Sequence, residues 1–144
     1  MQIAVTSACC LLVHPRLDLI LGVSRKDDHT QFGLPGGKLE WGENPKQAAL
    51  RELQEETGLI GLDPTFLMER FNKDNLDACY LITVVGGEPR TTEKGLVRWV
   101  SREMLEDGPF GLYNRTLFQY LGGPFTLPEY RMVTGVAGIL FAGL

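Results

Sequence analysis

The chain has 144 residues, of which 44% are hydrophobic and 22% charged, with a formal net charge of −4. That composition suits one globular domain, residues 1–144, with room for a core, and excludes a low-complexity or disordered chain. The acidic balance, with no long basic run, argues against a nucleic-acid polymer as partner.

Ile3 to Val13 is rich in β-branched and small apolar residues and predicts a buried strand. Within it Cys9 and Cys10 are adjacent and point to opposite sides. With Cys79 they form no metal-type spacing and read as core filler. The N-terminus has no cationic-then-apolar leader, and the odd cysteine count suits reduced thiols in the cytoplasm. His14 to Asp18 predicts a turn, and Leu19 to Ser24 the returning strand of a hairpin. Arg25 ends that strand just before a Gly-rich loop and is a candidate phosphate clamp; a solvated loop cation is the plain alternative. His29 reads as an exposed loop residue. In the loop Phe32 to Gly37, Gly36 and Gly37 let the backbone approach a ligand closely.

Pro45 to Thr57 predicts a helix, with Asn44 as N-cap, Pro45 in the first turn and Gly58 as the C-terminal stop. Ala49, Leu50 and Leu53 form a core-facing stripe. Glu52, Glu55 and Glu56 stand at i, i+3 and i+4, so their carboxylates share another face. Like charges crowd there, and Glu55 and Glu56 lie at the negative end of the helix dipole. A cation would relieve the crowding, and hard carboxylate oxygens suit Mg²⁺ or Mn²⁺. A merely solvated acidic face is the alternative that the helix alone leaves open.

Further on, Thr65 to Asn72 predicts a strand, Lys73 to Asn75 a turn, and Leu76 to Val85 a second strand ending at Gly86-Gly87. Glu88 to Glu93 is a polar loop, and Leu96 to Val100 a strand carrying Trp99. Ser101 caps a short helical turn. Tyr113 to Leu121 predicts a helix whose apolar stripe is Leu117, Tyr120 and Leu121. Residues 128–144 form an apolar, Gly-rich extension whose most apolar run, Val133 to Leu144, is too short and interrupted to span a bilayer. It is read either as cover for a sheet edge or as a subunit contact of a homodimer.

The stretch 37–59, GKLEWGENPKQAALRELQEETGL, resembles the Nudix box of the Nudix hydrolase superfamily, with every fixed Gly, Arg and Glu position matched. Outside the box the likeness is looser and nearest to MutT-like nucleoside triphosphate pyrophosphohydrolases. The resemblance implies an α/β fold, an α/β/α sandwich around a central mixed β-sheet. It implies metal ligands at Glu52, Glu55, Glu56 and the Gly36 carbonyl, with one carboxylate outside the helix recruited as a further ligand or base. Glu93 is the candidate. Glu52 and Glu93 are both open as proton acceptor. Glu43 and Arg51 have a structural role in many family members, pairing to pin the loop onto the helix. Arg51 is counted among the catalytic set as well.

The implied activity is hydrolysis of a nucleoside diphosphate linked to another group, with Mg²⁺ or Mn²⁺ as cofactor and a small nucleotide as partner. The region after the box lacks the Pro or Tyr that marks ADP-ribose or dinucleoside polyphosphate branches. A (d)NTP is therefore the expected substrate. Arg25 and Gly37 are expected at its phosphates. Asn114, near the start of the last helix, is the candidate base contact, since an amide both donates and accepts; a helix cap is the alternative. Hydrolysis of ADP-ribose and a nucleotide-binding module without turnover are the other readings.

Overall fold

Strand β1 (Ser7–Leu11) is buried along its whole length, and its side chains alternate between two cores. Ala8, Cys10 and Leu12 enter one core, and Cys9, Leu11 and Val13 the other. A strand apolar on both sides must be covered on both sides, which dictates a layered architecture. The computed structural model describes residues 3–92, 94–125, 127 and 129–134.

After β1 come β2 (Ile20–Ser24), β3 (Phe32–Gly33), β4 (Gly36–Lys38) and helix α1 (Pro45–Thr57). They are followed by β5 (Ile60–Leu62), β6 (Thr65–Asn72), β7 (Asn75–Leu81), β8 (Val84–Gly86) and β9 (Val97–Val100). Helices α2 (Arg102–Glu106) and α3 (Gly111–Leu121) and the short β10 (Val133–Thr134) complete the described elements.

The central sheet is mixed, in the order β4-β1-β7-β6. Strands β1 and β7 are parallel, and the outer pairs antiparallel. Two three-stranded sheets, β3-β2-β9 and β10-β8-β5, flank it. Ala48, Ala49 and Leu53 of α1 fill the core on one face of the central sheet. Leu105, Tyr113, Leu117 and Phe118 of α2 and α3 fill the other. The layers are those of an α/β/α sandwich.

Several expectations are corrected. The hairpin between the first two strands persists only at its base, where Leu21 N–H donates to Leu12 O and Val13 bridges Ile20. Beyond it the strands part: β1 joins the central sheet and β2 pairs with β3 and β9. The single strand expected from Leu76 to Val85 breaks after Leu81, because β7 and β8 serve different sheets. The Gly-rich loop contains two short strands, β3 and β4. The stripe of α3 is rotated: Tyr113, Asn114, Leu117 and Phe118 are buried, whereas Tyr120 is 64% exposed. Of the C-terminal extension, Val133–Thr134 adds a parallel strand beside β8. Residues 135–144 lie outside the described residues.

Candidate active site

The site is built on α1. Asn44 accepts from Gln47 N–H at 2.8 Å, and Gln47 Oε1 accepts from Asn44 N–H at 3.0 Å, a reciprocal capping box. Gly58 ends the helix at φ 81°, a left-handed conformation that suits glycine.

Arg51 organises the carboxylates. Its guanidinium forks onto Glu43, Nε to Oε2 at 2.7 Å and Nη2 to Oε1 at 3.0 Å. Nη1 donates to Glu52 at 2.9 Å and Glu55 at 3.1 Å, and Nη2 also to the Lys38 carbonyl at 3.1 Å. Glu43 in turn accepts from Glu40 N–H. One planar fork thus ties residues 38–43 to the helix and offsets two of its three crowded charges. The hydrogen bond to Glu43 raises the Arg51 pKa further above its usual range, and that to Arg51 lowers Glu43.

Among the described residues Glu56 forms no ion pair of this kind. Its Oε2 accepts from Gly36 N–H at 2.9 Å. Burial pushes its carboxyl up to about 8; the Gly36 hydrogen bond and the charge of Lys94 oppose this, and Glu52 and Glu55 reinforce it. The two glycines differ in what they touch. A Cβ on Gly36 would meet Ala8 O at 2.5 Å, whereas one on Gly37 would meet Glu52 Oε1 at 2.5 Å. Strand β4 therefore packs with Gly36 on β1 and Gly37 on a carboxylate.

Gly36, Gly37 and Lys38 also line a cavity of about 280 Å³. Leu34 and Phe110 give it apolar walls; Ser7, Asp77, Tyr113 and Asn114 give it buried polar groups. Its size is near the lower end for small-molecule sites. Asn114 is not the helix cap: Phe110 holds that position, and the Asn114 amide donates to Leu105 O at 3.1 Å. Asp77, 5% exposed, was not among the candidates read from sequence. It accepts from Ser7 Oγ at 2.7 Å, Tyr113 Oη at 2.5 Å and Cys9 Sγ at 3.2 Å. The signal for it was a lone carboxylate inside a strand otherwise rich in apolar residues.

Arg25 stands apart from this assembly. Its Nε pairs with Asp27 Oδ1 at 3.1 Å, half-exposed, and it does not line the cavity. Glu93 lies outside the described residues. Of its neighbours, Thr92 Oγ1 donates to Glu56 O at 3.2 Å. Among the described residues no three carboxylate, imidazole or thiol side chains converge as a ready-made metal cage. The donors still fit a hard divalent ion held by few carboxylates, its shell completed by a backbone carbonyl, water and phosphate.

Residues 4–121 match the NUDIX domain family, so the chain belongs to the Nudix hydrolases, a family that generally uses divalent metals such as Mg²⁺. Within that family its likeness runs to MutT-type proteins. A crystal structure of a MutT NUDIX hydrolase from Burkholderia pseudomallei superposes with a TM-score of 0.65 at 25% identity, covering 84% of this chain and 100% of that one. An 8-oxo-dGTP diphosphatase from Haemophilus influenzae is 37% identical over 92 residues, 60% of this chain and 67% of its own length. An ADP-ribose pyrophosphatase from Methanocaldococcus jannaschii is 35% identical over 77 residues, 48% of this chain and 46% of its own length. No helix among the described residues is long and apolar enough to cross a membrane.

Proposed function

We propose that this chain hydrolyses a nucleoside triphosphate to the monophosphate and pyrophosphate. The observation that carries this reading is the position of β4: it lies against Glu52 and Glu56 and also lines a cavity of about 280 Å³. Phosphates at the carboxylates and a base in the cavity then belong to one ligand. The relative named as an 8-oxo-dGTP diphosphatase supports a triphosphate. The relative named as an ADP-ribose pyrophosphatase supports the second reading, a nucleoside diphosphate sugar.

In the reaction, water attacks a phosphorus atom, a P–O anhydride bond breaks, and pyrophosphate leaves. A bound Mg²⁺ or Mn²⁺ would neutralise phosphate charge and lower the pKa of water. Glu52, Glu55, Glu56 and the Gly36 carbonyl are the groups that would hold it, with Glu93 as a further donor. Arg51 keeps Glu52 and Glu55 in place and holds the loop through Glu43. The proton from the attacking water goes to Glu52 or Glu93. Arg25 keeps a phosphate role in this reading only by leaving Asp27, its partner in the structure.

Incubation with deoxynucleoside triphosphates, ADP-ribose and dinucleoside polyphosphates, each with Mg²⁺, tests the reading. Monophosphate and pyrophosphate in equal amounts are expected from a triphosphate. Turnover of ADP-ribose alone would replace it.

A further inference from the structure

The face of β6 that packs on α3 turns from apolar to cationic beyond Met68. Met68, Arg70 and Asn72 alternate onto one face of the strand. Met68 is buried in the core with Leu117 and Phe118. Arg70 and Asn72 instead line a second hollow, of about 480 Å³, between the end of β6 and the start of α3. Pro109, Phe110 and Leu112 give it apolar walls, and Leu112 is 77% exposed. No carboxylate lines this groove, although the chain carries a net charge of −4.

Its two cations are held ready rather than paired. Arg70 stands opposite Asp77 in the register, but that carboxylate is taken by Ser7, Cys9 and Tyr113. Among the described residues the Arg70 guanidinium forms no hydrogen bond or ion pair. Lys73, at the tip of the β6–β7 hairpin, has φ 58°, a left-handed conformation that Gly or Asn adopts more readily. Its ammonium lies 5.2 Å from the centroid of the Phe110 ring. Lys73 and Phe110 line both this groove and the cavity beside β4. Their cation–π contact is therefore the partition between the two, and at an exposed site such a contact is weak.

The geometry points to a second ligand site in this groove, one that takes a nucleoside monophosphate with its phosphate between Arg70 and Lys73 and its ring against Phe110 and Leu112. Charge complementarity selects the anion, since two cations without a carboxylate are matched by a phosphomonoester. The apolar walls select the ring: inorganic phosphate would leave them wet, and an uncharged ring would leave the cations without a partner. The choice of a nucleotide rests on the hydrolase reading, in which the monophosphate is formed in the adjoining cavity. Because Lys73 borders both hollows, product in the groove acts on the enzyme without occupying the substrate cavity.

Amide NMR of the full chain, titrated with dAMP, tests this without any turnover. Arg70 and Leu112 line the groove but not the cavity, so their amides report the groove alone. They are expected to shift with a Kd of about 1 mM or tighter. Deoxyadenosine and inorganic phosphate should each bind there at least about tenfold more weakly, the scale of one hydrogen bond to a charged group. Arg70→Gln should lose about tenfold for dAMP at the Leu112 amide, with the shifts of Ser7 and Asn114 in the cavity unchanged. Lys73→Gly, which suits the left-handed turn and so keeps its fold, should lose about as much. No shift at Arg70 and Leu112, an equal response to inorganic phosphate or deoxyadenosine, or undiminished dAMP affinity in either variant would overturn the assignment. Groove binding without turnover of any triphosphate would overturn the hydrolase reading alone. Triphosphate turnover without groove binding would overturn the second site alone.

Discussion

Gly36 and Glu56 are joined across the site: the Gly36 amide donates to Glu56 Oε2 at 2.9 Å. The strand that walls the cavity and the helix that carries the carboxylates meet at that hydrogen bond. Among the described residues Glu56 forms no ion pair, and of the cations only Lys94 acts on it, from a distance, so a bound cation would change its charge state.

The pH dependence follows from Glu56. Its carboxyl stands at about 8 in the folded protein against an ordinary 4.5. A raised carboxyl stabilises the fold fully below its unfolded value, and that contribution is lost as pH rises through the folded value. The metal-free protein should therefore melt at a lower temperature at pH 8.5 than at pH 5.5. Glu56→Gln should flatten this part of the profile. Thermal melts of both proteins in chelator check it; parallel profiles would show that Glu56 titrates normally.

Arg51→Ala should lower both stability and activity. The substitution frees residues 38–43 from the helix and leaves Glu43, Glu52 and Glu55 without their shared donor. A drop of roughly 3–8 °C in melting temperature is expected, with a loss of turnover. Lost activity at an unchanged melting temperature would instead put Arg51 directly on substrate or metal.

Gly36→Ala and Gly37→Ala should part company. At Gly36 the new Cβ meets the Ala8 carbonyl and the Cys9 side chain, so the β1–β4 pairing must give and the melting temperature falls. At Gly37 it meets the end of the Glu52 side chain, which can swing away. Gly37→Ala should keep its melting temperature within a few degrees while losing roughly tenfold or more in turnover. Melting and kinetic measurements on the two variants check the contrast.

Asn114→Ala removes the donor to Leu105 O and an oxygen from the cavity lining. A several-fold rise in KM with kcat nearly unchanged is expected, because binding rather than chemistry is lost. The melting temperature should also fall, since a buried carbonyl loses its partner. A lower melting temperature with unchanged KM would confine Asn114 to structure.

Helix α1 was legible in the sequence to the residue, because its signals are local: Asn44 and Pro45 at one end, Gly58 at the other, and a carboxylate face between them. The Arg51–Glu43 pair was legible through the family resemblance. Strand partnership was not legible, since it is decided far away in sequence. Gly36–Lys38 becomes a strand because β1 offers it an edge, and Ile60–Leu62 because β8 does. Asp77 is the clearest case: its partners Ser7 and Tyr113 lie 70 and 36 residues away. For Arg25 the sequence showed the cation but not its partner: Asp27, two residues on, pairs with it in the structure.

The most direct measurement is pyrophosphate release from a deoxynucleoside triphosphate across a Mg²⁺ titration, in the wild-type chain and in Glu56→Gln. Wild type should release one pyrophosphate per monophosphate formed, only with Mg²⁺ present. Glu56→Gln should keep its fold and lose roughly 100-fold or more in turnover. Turnover in chelator, or wild-type turnover in Glu56→Gln, would contradict the assignment of the α1 carboxylates.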